Sequence, residues 1–195
     1  MLPENELSST PVAGDFIGTA AVVFPDLLAR SDGGIALNDP SMGLDYQVWD
    51  AEVVKNIDND QIVLSAPSVS PIVVYTGDDI TAVSLAFDTL MQYTISFVEA
   101  GESKIKFYDS SIGDFTVYSV GATSSNPKIA LDETRLFNSA NSDILMAYIK
   151  DEKLYYRQQR DRYTIERKLS DGPWINLVRI GRMDNLRFGF QVVAP

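Results

Sequence analysis

Residues 143–168 read DILMAYIKDEKLYYRQQRDRYTIERK, and this run decides the fold class. Ile144 to Ile149 is apolar at every position and is bounded sharply by Asp143 and Lys150. A short run with no polar face is expected to be a central strand, buried on both sides. From Asp161 to Leu169 the pattern changes. Tyr163, Ile165 and Leu169 fall on one side, and Arg162, Thr164, Glu166 and Lys168 on the other. That period of two predicts a half-buried antiparallel strand. The whole stretch reads as strand, turn, strand, turn, strand.

The same wording occurs earlier in the chain. Leu85-Ala-Phe-Asp88, Ile95 with Phe97-Val98, Ile105 with Phe107-Tyr108, and Phe115-Thr-Val117 form one copy. Ile129-Ala-Leu-Asp132, Ile144 with Tyr148-Ile149, Leu154-Tyr-Tyr156, and Tyr163-Thr-Ile165 form the next. An offset of about 40–50 residues is the period of propeller blades. Two units are too few to close a propeller. The repeats, at about 85–120 and 129–169, are therefore expected to pack as a sandwich or to belong to a ring completed by other chains.

Working outward, residues 45–195 are punctuated as an antiparallel β domain. Strands are expected at 46–54 and 61–66 around the turn at Lys55 to Asp60. Pro67 and Pro71 bracket a break, and a hairpin is expected to join 71–75 to 81–87 through Thr76 to Asp79. Further strands follow at 92–98, 104–108 and 115–120, and at 185–193, where Leu186, Phe188, Phe190 and Val192 share a face. Residues 1–44 are expected to be an extended amino-terminal arm and a loop. They hold at most a short helix in FPDLLAR, and Ser31 to Gly43 is read as loop. The fold class is mainly β, an antiparallel sandwich or propeller-blade-like repeated sheets with little helix.

Composition excludes several chemistries. The 195 residues contain no His and no Cys, which removes Ser-His-Asp and Cys-His catalysis, thiolate metal sites and the commonest zinc ligand. No run of about 18 apolar residues offers a membrane-spanning helix. The amino end lacks the basic start and apolar stretch of a signal peptide, so synthesis in a cytoplasm is expected. The net charge is −11, which disfavours specific binding to nucleic acid. That charge is uneven: residues 1–103 hold 2 basic and 16 acidic residues, and 104–195 hold 14 and 11. Opposed faces, or copies stacking head to tail, are the expectation from such asymmetry.

Local motifs add little chemistry. Asn56, Asp58 and Asp60 are spaced like the first ligands of a calcium loop, but Gln61 stands where glycine is needed and no closing Glu follows. A hairpin turn is the default there. Asp78-Asp79 suits a tight turn. The run from Tyr155 to Arg162 interleaves aromatic and basic side chains. It fits a solvated edge with paired arginines, a nucleic-acid surface, or a subunit interface. The interface is preferred because Tyr and Arg serve as interface anchors. The candidate interface residues are Tyr155, Tyr156, Arg157, Arg160 and Arg162. No catalytic, cofactor-binding or metal residue is expected, and no enzyme activity.

Thr94-Ile-Ser-Phe97, Lys104 to Asp109, Asp143 to Tyr148, Leu154-Tyr-Tyr-Arg-Gln-Gln-Arg-Asp-Arg-Tyr163, Leu177 to Gly181 and Leu186-Arg-Phe188 carry a resemblance. Over about Leu85 to the end, the chain resembles proteins of the short, non-contractile tails of podovirus-type bacteriophages. The resemblance implies a virion structural protein made in the host cytoplasm and assembled as a homo-oligomeric ring. Its neighbours would be other tail or portal-proximal proteins, and its place an adaptor, nozzle, hub or fibre anchor. A carbohydrate-binding or glycan-degrading tail module is the alternative, favoured by an exposed Trp49 or Trp174 beside facing carboxylates.

Overall fold

A computed structural model describes residues 35–37, 48–67, 69–88, 92–132, 143–182 and 188–195. The arm and short helix expected before residue 35, and the loop expected after Asp132, lie outside these. The described chain is mainly strand, with one 3-10 turn at Gln159–Asp161. Four antiparallel sheets follow one another in sequence. The first comprises β1 (Ile35–Leu37), β2 (Val48–Lys55), β3 (Asp60–Ala66) and β4 (Val69–Gly77), paired in that order. The second is the meander β5 (Ile80–Phe87), β6 (Tyr93–Glu99), β7 (Glu102–Asp109) and β8 (Asp114–Gly121). The third is the meander β9 (Lys128–Leu131), β10 (Ile144–Lys150), β11 (Lys153–Gln158) and β12 (Arg167–Ser170). The fourth pairs β13 (Asn176–Arg182) with β14 (Phe188–Val193).

Each sequence repeat is therefore one four-stranded meander, and the correspondence extends to details. Asp88 and Asp132 each follow the first strand of their sheet. Each carboxylate accepts the amide that opens the next strand, Gln92 N at 2.9 Å and Asp143 N at 2.7 Å. The central hairpins also match. Ala100-Gly101 and Asp151-Glu152 are two-residue turns with positive φ at both positions, the geometry whose twist suits a tight hairpin.

The sheets stack face to face. On the second sheet, Leu85, Phe87, Ile95 and Phe97 are buried and alternate with the buried Ser84, Ala86, Thr94 and Ser96. Phe87 meets Trp49 and Phe97 meets Tyr75 of the first sheet, whereas Ser84 and Ser96 bond to the β9 segment of the third. On β10, Ile144, Met146 and Tyr148 enter the large core shared with the first two sheets. Ala147 and Ile149 enter a smaller core with Leu177, Ile180 and Val192 of the fourth. That double burial explains why no position between 144 and 149 is polar.

Four expectations are corrected. The segment read as loop, 31–43, contains strand β1, which pairs Ile35 with Asp50 and Leu37 with Val48. The turn at 78–79 does not close a hairpin. β4 stays in the first sheet and β5 opens the second, because Asp60 of β3 accepts Ile80 N at 2.7 Å and Glu99 of β6 accepts Asp78 N at 3.1 Å. Gly77 leaves room for the Glu99 carboxylate at this crossing, since a Cβ there would lie 1.8 Å from it and Glu99 would have to shift. Asp161 to Leu169 is not one strand. The 3-10 turn and left-handed Arg162 and Tyr163 interrupt it, leaving only β12. The break expected between Pro67 and Pro71 is shorter than read, for Pro71 sits within β4. As the edge strand of its sheet, β4 tolerates a missing donor.

These packing differences set an expected contrast in stability. Met146→Ala, at a wholly buried position, is expected to cost about 2–5 kcal/mol. Ile57→Ala, at a fully exposed turn tip, is expected to change stability by less than about 0.5 kcal/mol. Chemical denaturation of the two variants checks this, and similar losses at both sites would contradict the stacking described.

Candidate functional site

Of the five candidate interface residues, Tyr155 and Arg157 lie on the face of β11 toward the second sheet, Tyr156 on its opposite face, and Arg160 and Arg162 near the end where β5–β6 and β7–β8 turn. Arg157 is on the face of β11 that looks toward the second sheet and is 8% exposed. Its Nε donates to Tyr148 Oη at 2.8 Å and its Nη1 to the Tyr163 carbonyl at 2.7 Å. Nη2 reaches Glu166 at 3.3 Å, and the guanidinium lies over the Tyr118 ring, 5.5 Å from its centroid. Tyr148 donates to Glu166 at 2.5 Å, and Lys150 reaches the same carboxylate at 3.3 Å. A buried charge needs this full set of partners, because desolvation is costly and only geometry offsets it. Burial, then the Glu166 carboxylate, raises the Tyr148 hydroxyl above its ordinary range. Burial alone would raise Glu166, but its bonds from Tyr148 and Lys150 outweigh this and hold it low.

Tyr155 and Tyr156 are half-buried and point to opposite faces of β11. Tyr155 stacks on Tyr148 with centroids 6.3 Å apart and packs on the large core. Tyr156 packs on the smaller core, with Arg167 above its ring. Only Arg160 and Arg162 keep open side chains, 54% and 57% exposed. Strand β11 ends before them, and after the 3-10 turn Arg162 reaches the end of β7 in the second sheet while Arg160 reaches the connection between β9 and β10. Arg160 Nε donates to Asp143 at 2.5 Å, and its backbone N–H to the same carboxylate at 2.9 Å. Asp132 lies 3.5 Å from Arg160. Arg162 pairs with Asp109, whose other oxygen accepts the Ser111 amide and hydroxyl at 3.0 and 2.7 Å.

Together these groups bound a cleft of about 380 Å³, lined by Asp88, Tyr108, Asp109, Asp143, Gln159, Arg160 and Arg162 among others. Asp109 and Asp143 form its buried floor. The Ser111 hydroxyl, opposed by burial but supported by Arg162, holds Asp109 below the usual carboxylate range. Asp143 goes the other way: burial raises it despite Arg160. The wall can bind polar groups through amide, guanidinium and carboxylate contacts. Among the described residues no cluster of three or more acidic side chains is arranged to hold a metal ion. The calcium-like spacing at 56–60 resolves as a hairpin turn in which Asp60 is buried and bonds to Lys55 at 2.6 Å and to Ile80 N.

Sequence reading missed Asp88, Asp109 and Asp143 as members of this region. A signal existed for one of them: Asp88 occupies the same place in its repeat as Asp132 does in the next. Comparison with protein-family models, curated proteins and solved structures finds no match.

Two outcomes test the charge arrangement. Arg157→Ala leaves Glu166 and Tyr148 without their buried partner and is expected to cost about 3–5 kcal/mol. Lys168→Ala, at the exposed pair with Asp171, is expected to cost less than about 1 kcal/mol. Equal losses by urea denaturation would contradict the distinction.

Acid stability follows from the carboxylates. Asp60, Glu99, Asp109 and Glu166 are all lowered on folding. Their contribution is present above their unfolded pKa values and is lost as pH falls through the folded ones. Asp143, raised on folding, acts oppositely and favours the folded state as pH falls. Four groups outweigh one, so stability is expected to drop below about pH 4. Denaturation across a pH series should show a shallower acid limb for Asp109→Asn and a steeper one for Asp143→Asn.

Proposed function

We propose that the protein is a non-enzymatic structural subunit of a multi-copy assembly, an oligomeric component of a phage tail or head–tail junction. The observation that carries this reading is the open-ended stack of sheets. The second and third sheets each contribute side chains from both faces to packed contacts, whereas the first and fourth sheets each lend one face to the cores, Ala51, Ile62 and Leu64 on one and Leu177, Ile180 and Val192 on the other. A stack built by burying one sheet against the next is suited to continue into further subunits. Exposed Ile72 and Val73 on edge strand β4, and Val193 on β14, place apolar surface at these ends. Burial of Arg157 removes it from the proposed contact, while Arg160 and Arg162, paired within the chain, keep about half of each side chain exposed. The sequence resemblance supplies the virion tail as setting.

A carbohydrate-binding module is the second reading, and the cleft above Asp109 and Asp143 favours it, since amide, carboxylate and tyrosine groups can hold a sugar. The tryptophans do not add to it. Trp49 packs on Phe87 at 5.9 Å, and Trp174 packs on the smaller core and donates to Ser170 Oγ at 3.0 Å.

Static light scattering of the purified protein at low and high salt tests the assembly reading. The expected result is a species several-fold heavier than the 21.6 kDa chain that dissociates as salt rises. The chain's own mass at both salt concentrations would overturn self-assembly, and binding on a glycan array would then favour the second reading.

A further inference from the structure

We infer that two copies of this chain pair through strand β8, each lending its outer edge so that their two four-stranded second sheets join into one. The inference rests on the assembly reading and names a contact within it. Strand β8 runs from Asp114 to Gly121 and pairs with β7 alone. Phe115 donates its amide to the Asp114 carboxylate at 2.7 Å, so that amide points away from β7. Donor direction alternates along an antiparallel strand, and the amides of Val117 and Ser119 therefore point outward as well. Among the described residues no backbone carbonyl beyond β7 accepts them. Val117 is 43% exposed and Ser119 is exposed too, so this edge is open.

Natural sheets guard their edges with charge, proline, short length or cover, and the other described edges here are guarded or interrupted. Strand β1 has three residues. Strand β4 carries Pro71 and two irregularities in its ladder. Strand β12 has four residues, Arg167 and Lys168 among them. Strand β13 contains Arg179, and β14 contains Gly189, which weakens a strand. Strands β5 and β9 lie inside the stack, where Ser84 of the one accepts the Ile129 amide of the other. Strand β8 differs. Its interior, Phe115-Thr-Val-Tyr-Ser-Val120, holds no charge, proline or glycine and is rich in strand-favouring residues. The one shift in its ladder falls beyond Ser119.

Charge and register choose the occupant. The chain carries a net charge of −11, so two copies repel wherever carboxylates face each other, and a charge-free edge is where they can meet. Antiparallel pairing about Val117 sets Val117 against Val117, Thr116 against Tyr118 and Phe115 against Ser119. Asp114, the only charged residue of the strand, then lies across from Val120 and not from its own copy, so no like charges are opposed. The outward-pointing residues 115, 117 and 119 fall opposite one another, as a shared ladder requires. This contact is isologous, the same surface being used by both copies. It contains no ion pair, so salt does not screen it.

Sedimentation at low and high salt tests this, with circular dichroism confirming that each variant is folded. The wild type is expected to keep twice the mass of one chain at high salt, where larger assemblies have dissociated. Val117→Pro removes the central outward donor, and Val117→Lys sets two like charges directly opposite each other. An edge strand accepts either change where its N–H faces solvent. Both variants are expected to fall to the mass of one chain at high salt. Ile57→Lys, at the exposed turn between β2 and β3, is expected to keep the pair. A wild type at one chain mass in both salts overturns the assembly reading and this inference together. A wild type that assembles at low salt but falls to one chain at high salt overturns only the self-pairing, and leaves the edge to a strand of another protein. Variants at Val117 that stay paired overturn the choice of strand. Since the chain has no Cys, Val117→Cys gives an independent check. The pairing sets the two new thiols on directly opposed residues with Cα atoms about 5.5 Å apart, within disulfide reach. This variant is expected to form a disulfide-linked dimer several-fold faster than Ile57→Cys under the same oxidant, and equal rates would count against the pairing.

Discussion

The structure depends on how an edge strand inside the core satisfies its backbone. Strand β9 pairs on one side only, with β10, and its other edge is buried against the second sheet. Continuing the ladder there would merge the two sheets into one. Side-chain hydroxyls take the place of a strand instead. Ser84 Oγ accepts Ile129 N at 3.2 Å, and Ser96 Oγ donates to the Pro127 carbonyl at 3.2 Å. Beyond them, Ser124 Oγ donates to the Ile149 carbonyl and Ser125 Oγ accepts Ile149 N. Buried backbone groups without partners are costly, so these small hydroxyls let the sheets lie face to face with each meander kept separate.

The same constraint accounts for what could be read in the sequence. Ile144 to Ile149 had to be apolar throughout because both faces are buried, and its strand was legible. The repeats were legible because each meander needs the same turns and the same carboxylate after its first strand. The alternation of Phe188, Phe190 and Val192 was legible because only one face of β14 meets the core. What stayed hidden depended on distant partners. Nothing local at Gly77-Asp78-Asp79 says that Asp60 and Glu99 will draw the chain into another sheet. At Arg162 and Tyr163 a left-handed turn occurs without glycine or proline, so the alternating pattern there imitated a strand.

The candidate site was legible in composition but not in geometry. Of Tyr155, Tyr156, Arg157, Arg160 and Arg162, only the three arginines gather where the third sheet meets the second, and they serve two roles. Arg157 is enclosed by Tyr118, Tyr148, Tyr163 and Glu166, where it organises the contact between sheets. Arg160 and Arg162 neutralise Asp143 and Asp109 on the floor of a cleft while keeping half their surface open. The 3-10 turn at Gln159–Asp161 interrupts the run from Tyr155 to Arg162 just after β11. It thereby brings Arg160 to carboxylates at the start of the third sheet, up to 28 residues away in the chain.

The central claim is that the four sheets form one cooperative stack held by shared cores and bridging hydroxyls. Native-state hydrogen exchange measures this most directly, because amides released only by global unfolding exchange slowest and at one common free energy. The account predicts that Ile129 and Ile149, whose amides are bonded to Ser84 and Ser125, belong to that slowest group together with β6 and β10. Fast, independent exchange of Ile129 and Ile149, with β6 still protected, would mean that the second and third sheets open separately and would contradict it.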